Sequence, residues 1–97
     1  MTDAERAAAL ARLDARRASL SSESRALVRL LTEYVDAGVR LRLARNALRL
    51  TQAEAALIAG VTEADIGRIE AEEISPTVES MSRILRRLGE WAESGAP

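Results

Sequence analysis

The chain has no cysteine and no histidine. That excludes disulfide staples, thiolate nucleophiles, the usual zinc sites and the side chain that most readily moves protons near neutral pH. Phenylalanine is absent and Tyr34 and Trp91 are the only aromatics, so a stacking platform for single-stranded nucleic acid has nothing to be built from. Lysine is absent too; all 14 basic residues are arginine. No run approaches the roughly 18 consecutive apolar residues of a membrane span. Asp3 and Glu5 stand where a secretory leader would be basic and then apolar, so no membrane association and a cytoplasmic location are expected. There is no paired nucleophile and base, no metal-ligating cluster and no Gly-rich phosphate loop. No catalytic residue, no metal, no cofactor and no enzymatic role are expected.

What is present suits one small globular domain. Of 97 residues 47% are hydrophobic, which argues against disorder, at a size where dimerisation or extra helices help to complete a core. The net charge of −1 is uninformative about partners, but the charges are unevenly placed. Residues 1–50 carry a surplus of four positive charges and residues 51–97 a surplus of five negative ones.

The stretch from Thr51 to Pro76 organises the rest. Thr51-x-x-Glu54 is a capping box that opens a short helix, with Ala55, Ala56, Ile58 and Ala59 as its close-packing side. Gly60 supplies the left-handed residue that a helix end favours. Val61 plugs the turn, Thr62 caps a second helix with Asp65 near its positive end, and Ile66 and Ile69 share its inner face. A short helix, Ala-Gly-Val and a second short helix make the helix-turn-helix pattern, whose second helix enters the major groove of DNA.

Around this motif the reading is all-helical. Thr2-x-x-Glu5 caps a first helix to about Ala18, with Leu10 and Leu13 carrying most of its packing. Ser19-Leu20-Ser21-Ser22 either ends it or bends it into the next. A long helix is expected from about Ser22 to Leu48, with Leu27, Leu30, Leu31, Tyr34, Val35, Leu41, Leu43, Ala44 and Leu48 as its apolar positions, or else a break at Gly38 with a new helix beginning just before it. Leu13, Leu20, Leu27, Tyr34, Leu41 and Leu48 recur every seven residues, as one seam of a coiled coil would. The companion row contains Arg17, Ser24, Gly38 and Arg45, which favours an ordinary amphipathic pair. After a loop at Ile74–Thr77, Val78, Met81, Ile84, Leu85 and Leu88 predict a closing helix, ended by Gly89 or carried one turn further by Trp91. The core of the motif domain is expected at Leu41, Ala56, Ile58, Val61, Ile66, Ile69, Met81, Ile84 and Leu88.

From about Val39 to Gly89 the sequence resembles the Xre-like family of small helical repressors, the Cro and phage-repressor type. The matching features run in order: Leu41 and Arg45, Leu50-Thr51-Gln52, Ala56, Ala59-Gly60-Val61, Ile66, Arg68-Ile69-Glu70, Pro76, Met81, Ile84 and Leu88-Gly89. The resemblance implies an all-α bundle with a lambda-repressor-like helix-turn-helix plus an N-terminal helical extension. The expected divisions are residues 1–35, an extension for dimerisation or partner binding; residues 36–93, the helix-turn-helix domain; and residues 94–97, a flexible tail. It further implies a sequence-specific regulator that binds double-stranded DNA as a homodimer, either a phage-type repressor or the antitoxin of a toxin partner.

Carried over by position, the DNA-facing residues are Gln52, Thr62, Glu63, Ala64, Gly67 and Arg68. Arg40, Arg42, Arg45 and Arg49 lie just upstream, where cations would neutralise phosphates. Arg45 has a second reading, an ion pair with Glu70, and Arg40 and Arg42 a second reading as a solvated face. The sequence departs from the family in two ways. Glu63, Asp65, Glu70, Glu72, Glu73 and Glu79 face only Arg68 in the recognition segment, and the Gly common after Arg-Ile-Glu is replaced. An alternative therefore stands beside DNA binding: an interaction adaptor whose acidic recognition face meets a basic protein.

Overall fold

The structure, a computed structural model, describes residues 1–30 and 36–94. These form six helices in chain order: α1 Asp3–Arg17, α2 Ser22–Leu30, α3 Ala37–Ala47, α4 Gln52–Ala59, α5 Glu63–Glu70 and α6 Val78–Ser94. None is long and apolar enough to cross a membrane. Side-chain caps explain most of the boundaries. The hydroxyls of Thr2, Thr51, Thr62 and Thr77 accept the N–H groups of Glu5, Glu54, Asp65 and Ser80, each at 3.1 Å. Ser21 does the same for Ser24. Each such bond satisfies a donor that a helix start leaves without an intrahelical partner. Thr51 N–H also donates to the Glu54 carboxylate at 2.9 Å, completing the capping box.

The long helix expected from Ser22 to Leu48 is two helices. Asp36, with φ −52° and ψ 142°, leaves helical space and serves as the N-cap of α3. Helix α3 thus begins just before Gly38, where the break was expected, and the role of Gly38 itself is closeness. A Cβ there would stand 2.6 Å from the Ile69 carbonyl oxygen, so only glycine lets the end of α5 rest on the first turn of α3. The seven-residue seam is likewise no single stripe. Leu13, Leu20, Leu41 and Leu48 enter one core from different parts of the chain, while Leu27 is exposed; Tyr34, Leu31 and Val35 lie outside the described residues.

Leu41, Ala44, Ala55, Ala59, Ile66 and Leu88 form the fully buried centre where α3, α4, α5 and α6 meet. Ala56, Ile69, Met81 and Ile84 are buried around it, and Ile58 and Val61 are half-buried against it. Val78 does not join the core; it is exposed at the first position of α6, before the helix meets its neighbours. Leu43 is exposed as well, on the outer side of α3.

The first two helices belong to the same core. Leu13, Leu20 and Val28 are buried in it, with α1 against α4 and α2 against α3 and α6. At the far end α1 is tied to α6. The Arg17 guanidinium lies 5.5 Å from the centre of the Trp91 ring, a favourable cation–π distance, and donates to the Trp91 carbonyl and to the Ser94 hydroxyl. Trp91 Nε1 donates to Asp14 at 3.3 Å. Helix α6 thus runs through Gly89 to Ser94, so Ser94 is an anchored residue and not part of a loose tail.

Three helices end on left-handed residues: Arg49 after α3, Gly60 after α4 and Glu72 after α5, with φ of 57°, 74° and 62°. Each turn returns the following N–H to a carbonyl five residues back, Leu50 to Arg45, Val61 to Ala56 and Glu73 to Arg68. Only Gly60 is free of the steric cost, about 1–2 kcal/mol, that a Cβ meets there. Glu72 stands in the segment where the family's glycine is missing. Glu72→Gly is expected to stabilise the fold by about 0.5–1 kcal/mol, the relief of strain less glycine's greater unfolded freedom. Chemical denaturation reads this directly; an unchanged or lowered midpoint would contradict it.

Candidate nucleic-acid interface

Helix α5 has two clearly different sides. Ile66, Ile69 and Glu70 are buried, whereas Glu63, Ala64, Arg68 and Ala71 are exposed and Gly67 lies half-buried between them. Their spacing places Glu63, Ala64, Gly67, Arg68 and Ala71 on one outward strip. Gln52, the first residue of α4, lies beside it, its Oε1 3.6 Å from where a Gly67 Cβ would be. The structure therefore brings Gln52, Glu63, Ala64, Gly67 and Arg68 together at the junction of α4 and α5. Thr62 is adjacent and exposed, its hydroxyl engaged in capping. Among the described residues Arg68 has no ion pair, which leaves its guanidinium available to a ligand.

The upstream arginines separate into different roles. Arg45 is taken up by Glu70, which is only 4% exposed: Nε donates to Oε2 at 2.8 Å and Nη2 to Oε1 at 2.7 Å. Its remaining Nη1 donates to the Leu50 carbonyl at 3.0 Å. The hydrogen bonds to Glu70 raise the Arg45 pKa, against the opposing effect of burial. Arg42 donates to the Glu70 carbonyl at 2.7 Å while its side chain stays half exposed. Arg40 is half-buried with Nε turned inward, without a hydrogen-bond partner among the described residues. Arg49 is exposed on its left-handed turn. The phosphate-neutralising row expected at 40–49 is thus not one surface, because the buried carboxylate of Glu70 draws in two of its members.

The acidic residues are also dispersed. Glu70 is neutralised by Arg45 inside the domain. Asp65 is half-buried and lines a groove with Arg6, Leu57 and Thr62. Glu72 leans across Gly38, where a Cβ would touch its Cγ at 3.3 Å. On the outward strip Glu63 is the one carboxylate, and Arg68 matches it.

One contributor was missed from the sequence. Arg16 of α1 pairs with Glu54 and donates to the Arg49 carbonyl at 2.7 Å, so it sits over the start of α4. Burial alone would raise the Glu54 carboxyl, but hydrogen bonds from Thr51 and Arg16 hold it below its usual range. Nothing in the spacing of α1 indicated which of its arginines would face α4. No group of acidic side chains among the described residues gathers to hold a metal ion.

This geometry has a counterpart in the comparison with known families. The family model described as Helix-turn-helix, of Cro/C1 type, matches residues 41–90, just over half of the chain. The chain belongs to this helix-turn-helix family. The family is one of DNA-binding regulators; its match takes in α4 and α5, the part of α3 from Leu41 onward and most of α6, and leaves α1 and α2 outside. No curated protein and no solved structure matches the chain.

The Arg45–Glu70 pair yields a stability prediction. Arg45→Ala would leave a buried carboxylate without its partner and is expected to cost about 3–5 kcal/mol, seen as a lowered denaturation midpoint. If the variant melted like the wild type and lost only DNA affinity, Arg45 would be a phosphate contact after all.

Proposed function

We propose that this protein is a sequence-specific DNA-binding transcriptional regulator of Xre type, acting as a homodimer. The observation that carries the reading is the outward strip of α5, with Gln52 beside Gly67 and Arg68 without an ion pair among the described residues. On this reading α5 lies in the major groove. Arg68 reads guanine through its two parallel donors, and Glu63 accepts from cytosine N4. Gln52 bridges a phosphate and a base edge from the start of α4. The small residues Ala64 and Gly67 let the α5 backbone come close to the base pairs. Dimerisation would set two such helices one helical turn apart on a symmetric operator, and among the described residues of the extension Met1 and Leu27 are large apolar side chains exposed to a second subunit. A phage-type repressor and the antitoxin of a toxin pair are both compatible with this chemistry.

The adaptor reading needs a continuous acidic face built from Glu63, Asp65, Glu72 and Glu73. Asp65, half-buried along a groove, departs from such a face, while Glu63, Glu72 and Glu73 are exposed. A mobility-shift assay on mixed genomic duplexes over a salt series separates the two. The regulator is expected to bind with an affinity that falls steeply with salt, and Arg68→Ala to cost about 1–3 kcal/mol on a selected site. A wild type that binds no duplex even at low salt, together with gain of binding in Glu63→Gln, would overturn this reading in favour of the adaptor.

A further inference from the structure

Phosphate anchoring is the missing part of the DNA-binding reading, because contacts to the backbone dominate affinity while base contacts supply specificity. The helix-turn-helix segment offers little of it: Arg45 is buried on Glu70, Arg42 is tied to the α5 carboxyl end, and α5 itself keeps only Arg68. Further cations reach the start of α4 from α1, which lies outside the family match. Arg16 and Arg12 are one turn apart on the same side of α1 and line one groove with Ala53 and Glu54 of α4. Arg16 also reaches the Arg49 carbonyl. These contacts set the side of α1 against residues 49–54, the same turn that carries Gln52.

The local charges leave a positive excess. Arg16 cancels Glu54, and Asp14 pairs with Arg17. Arg12 and Arg49 are exposed and have no ion pair among the described residues. Arg49 moreover occupies a left-handed position that glycine would fill with less strain.

We infer that α1 is a backbone clamp: Arg12, with Arg49 and the Arg16–Glu54 pair between them, forms a cationic edge beside the α4 N-terminus that grips the phosphates flanking the bound site. This rests on the DNA-binding reading. It explains how a regulator with a nearly uncharged recognition strip holds duplex DNA, and it gives the N-terminal helix a function that packing alone does not.

The test is fluorescence anisotropy of the full chain with a labelled mixed-sequence duplex over a salt series. Arg12→Ala should flatten the log–log salt slope by about 0.9, one phosphate contact, and weaken low-salt binding several-fold. Arg12→Lys, which keeps the charge, should restore the slope. Arg49→Gly should flatten it likewise while raising stability, which separates lost contact from lost fold. Arg83→Ala, which removes the same charge from an exposed position on α6, should leave the slope unchanged. If Arg12→Ala and Arg83→Ala behave alike while the wild type binds, the clamp is wrong and the DNA-binding reading survives. If the wild type binds no duplex, both fall together.

Discussion

The buried pair between Arg45 and Glu70 is the constraint on which the placement of the recognition helix depends. Glu70 ends α5 and is almost wholly enclosed, so its charge must be matched inside the domain. Arg45 meets it with two parallel hydrogen bonds and uses its remaining nitrogen on the carbonyl that leads into α4. One side chain of α3 thereby fixes the end of α5 and the approach to α4. Gly38 lets the backbone of α3 come close enough for this to happen. The outward strip of α5 has its orientation because its opposite side is held in this way.

The consequence for charge is less obvious. A recognition segment with six acids and one arginine reads as hostile to DNA when its residues are laid out in a line. Folded, the acids are divided. Glu70 is turned inward and Asp65 lines the groove below α4, while Glu72, Glu73 and Glu79 stay exposed beyond the outward strip of α5, which keeps Glu63 against Arg68. The arginines undergo the complementary redistribution. Those nearest the motif in sequence are partly consumed by the interior, while those of α1, remote in sequence, arrive at the start of α4.

Much of the motif domain was legible beforehand because its signals are local. Capping boxes, the Ala-Gly-Val turn and the three-and-four spacing of Met81, Ile84 and Leu88 depend on neighbours within a few residues, so sequence exposes them. The side of α5 that faces outward follows from the same periodicity. What stayed hidden depends on long-range packing. Gly38 did mark where the stretch from Ser22 to Leu48 divides, since α3 begins just before it, but nothing local shows that its missing Cβ serves the approach of α5. The seven-residue leucine repeat is real in the sequence, yet it arises from separate helices contributing to one core. Whether Arg45 meets a phosphate or Glu70 is a choice between two partners of the same charge, and only burial decides it.

On the proposed reading, the outward side of α5, with the start of α4, is the surface that meets DNA. Amide chemical-shift mapping of the labelled protein titrated with a mixed-sequence duplex measures this residue by residue. The largest perturbations are expected on Gln52, Glu63, Ala64, Gly67 and Arg68, with a second set in α1 around Arg12, while the middle of α6 is unaffected. Perturbations confined to α2 and α6, with α5 silent at saturating duplex, would contradict it.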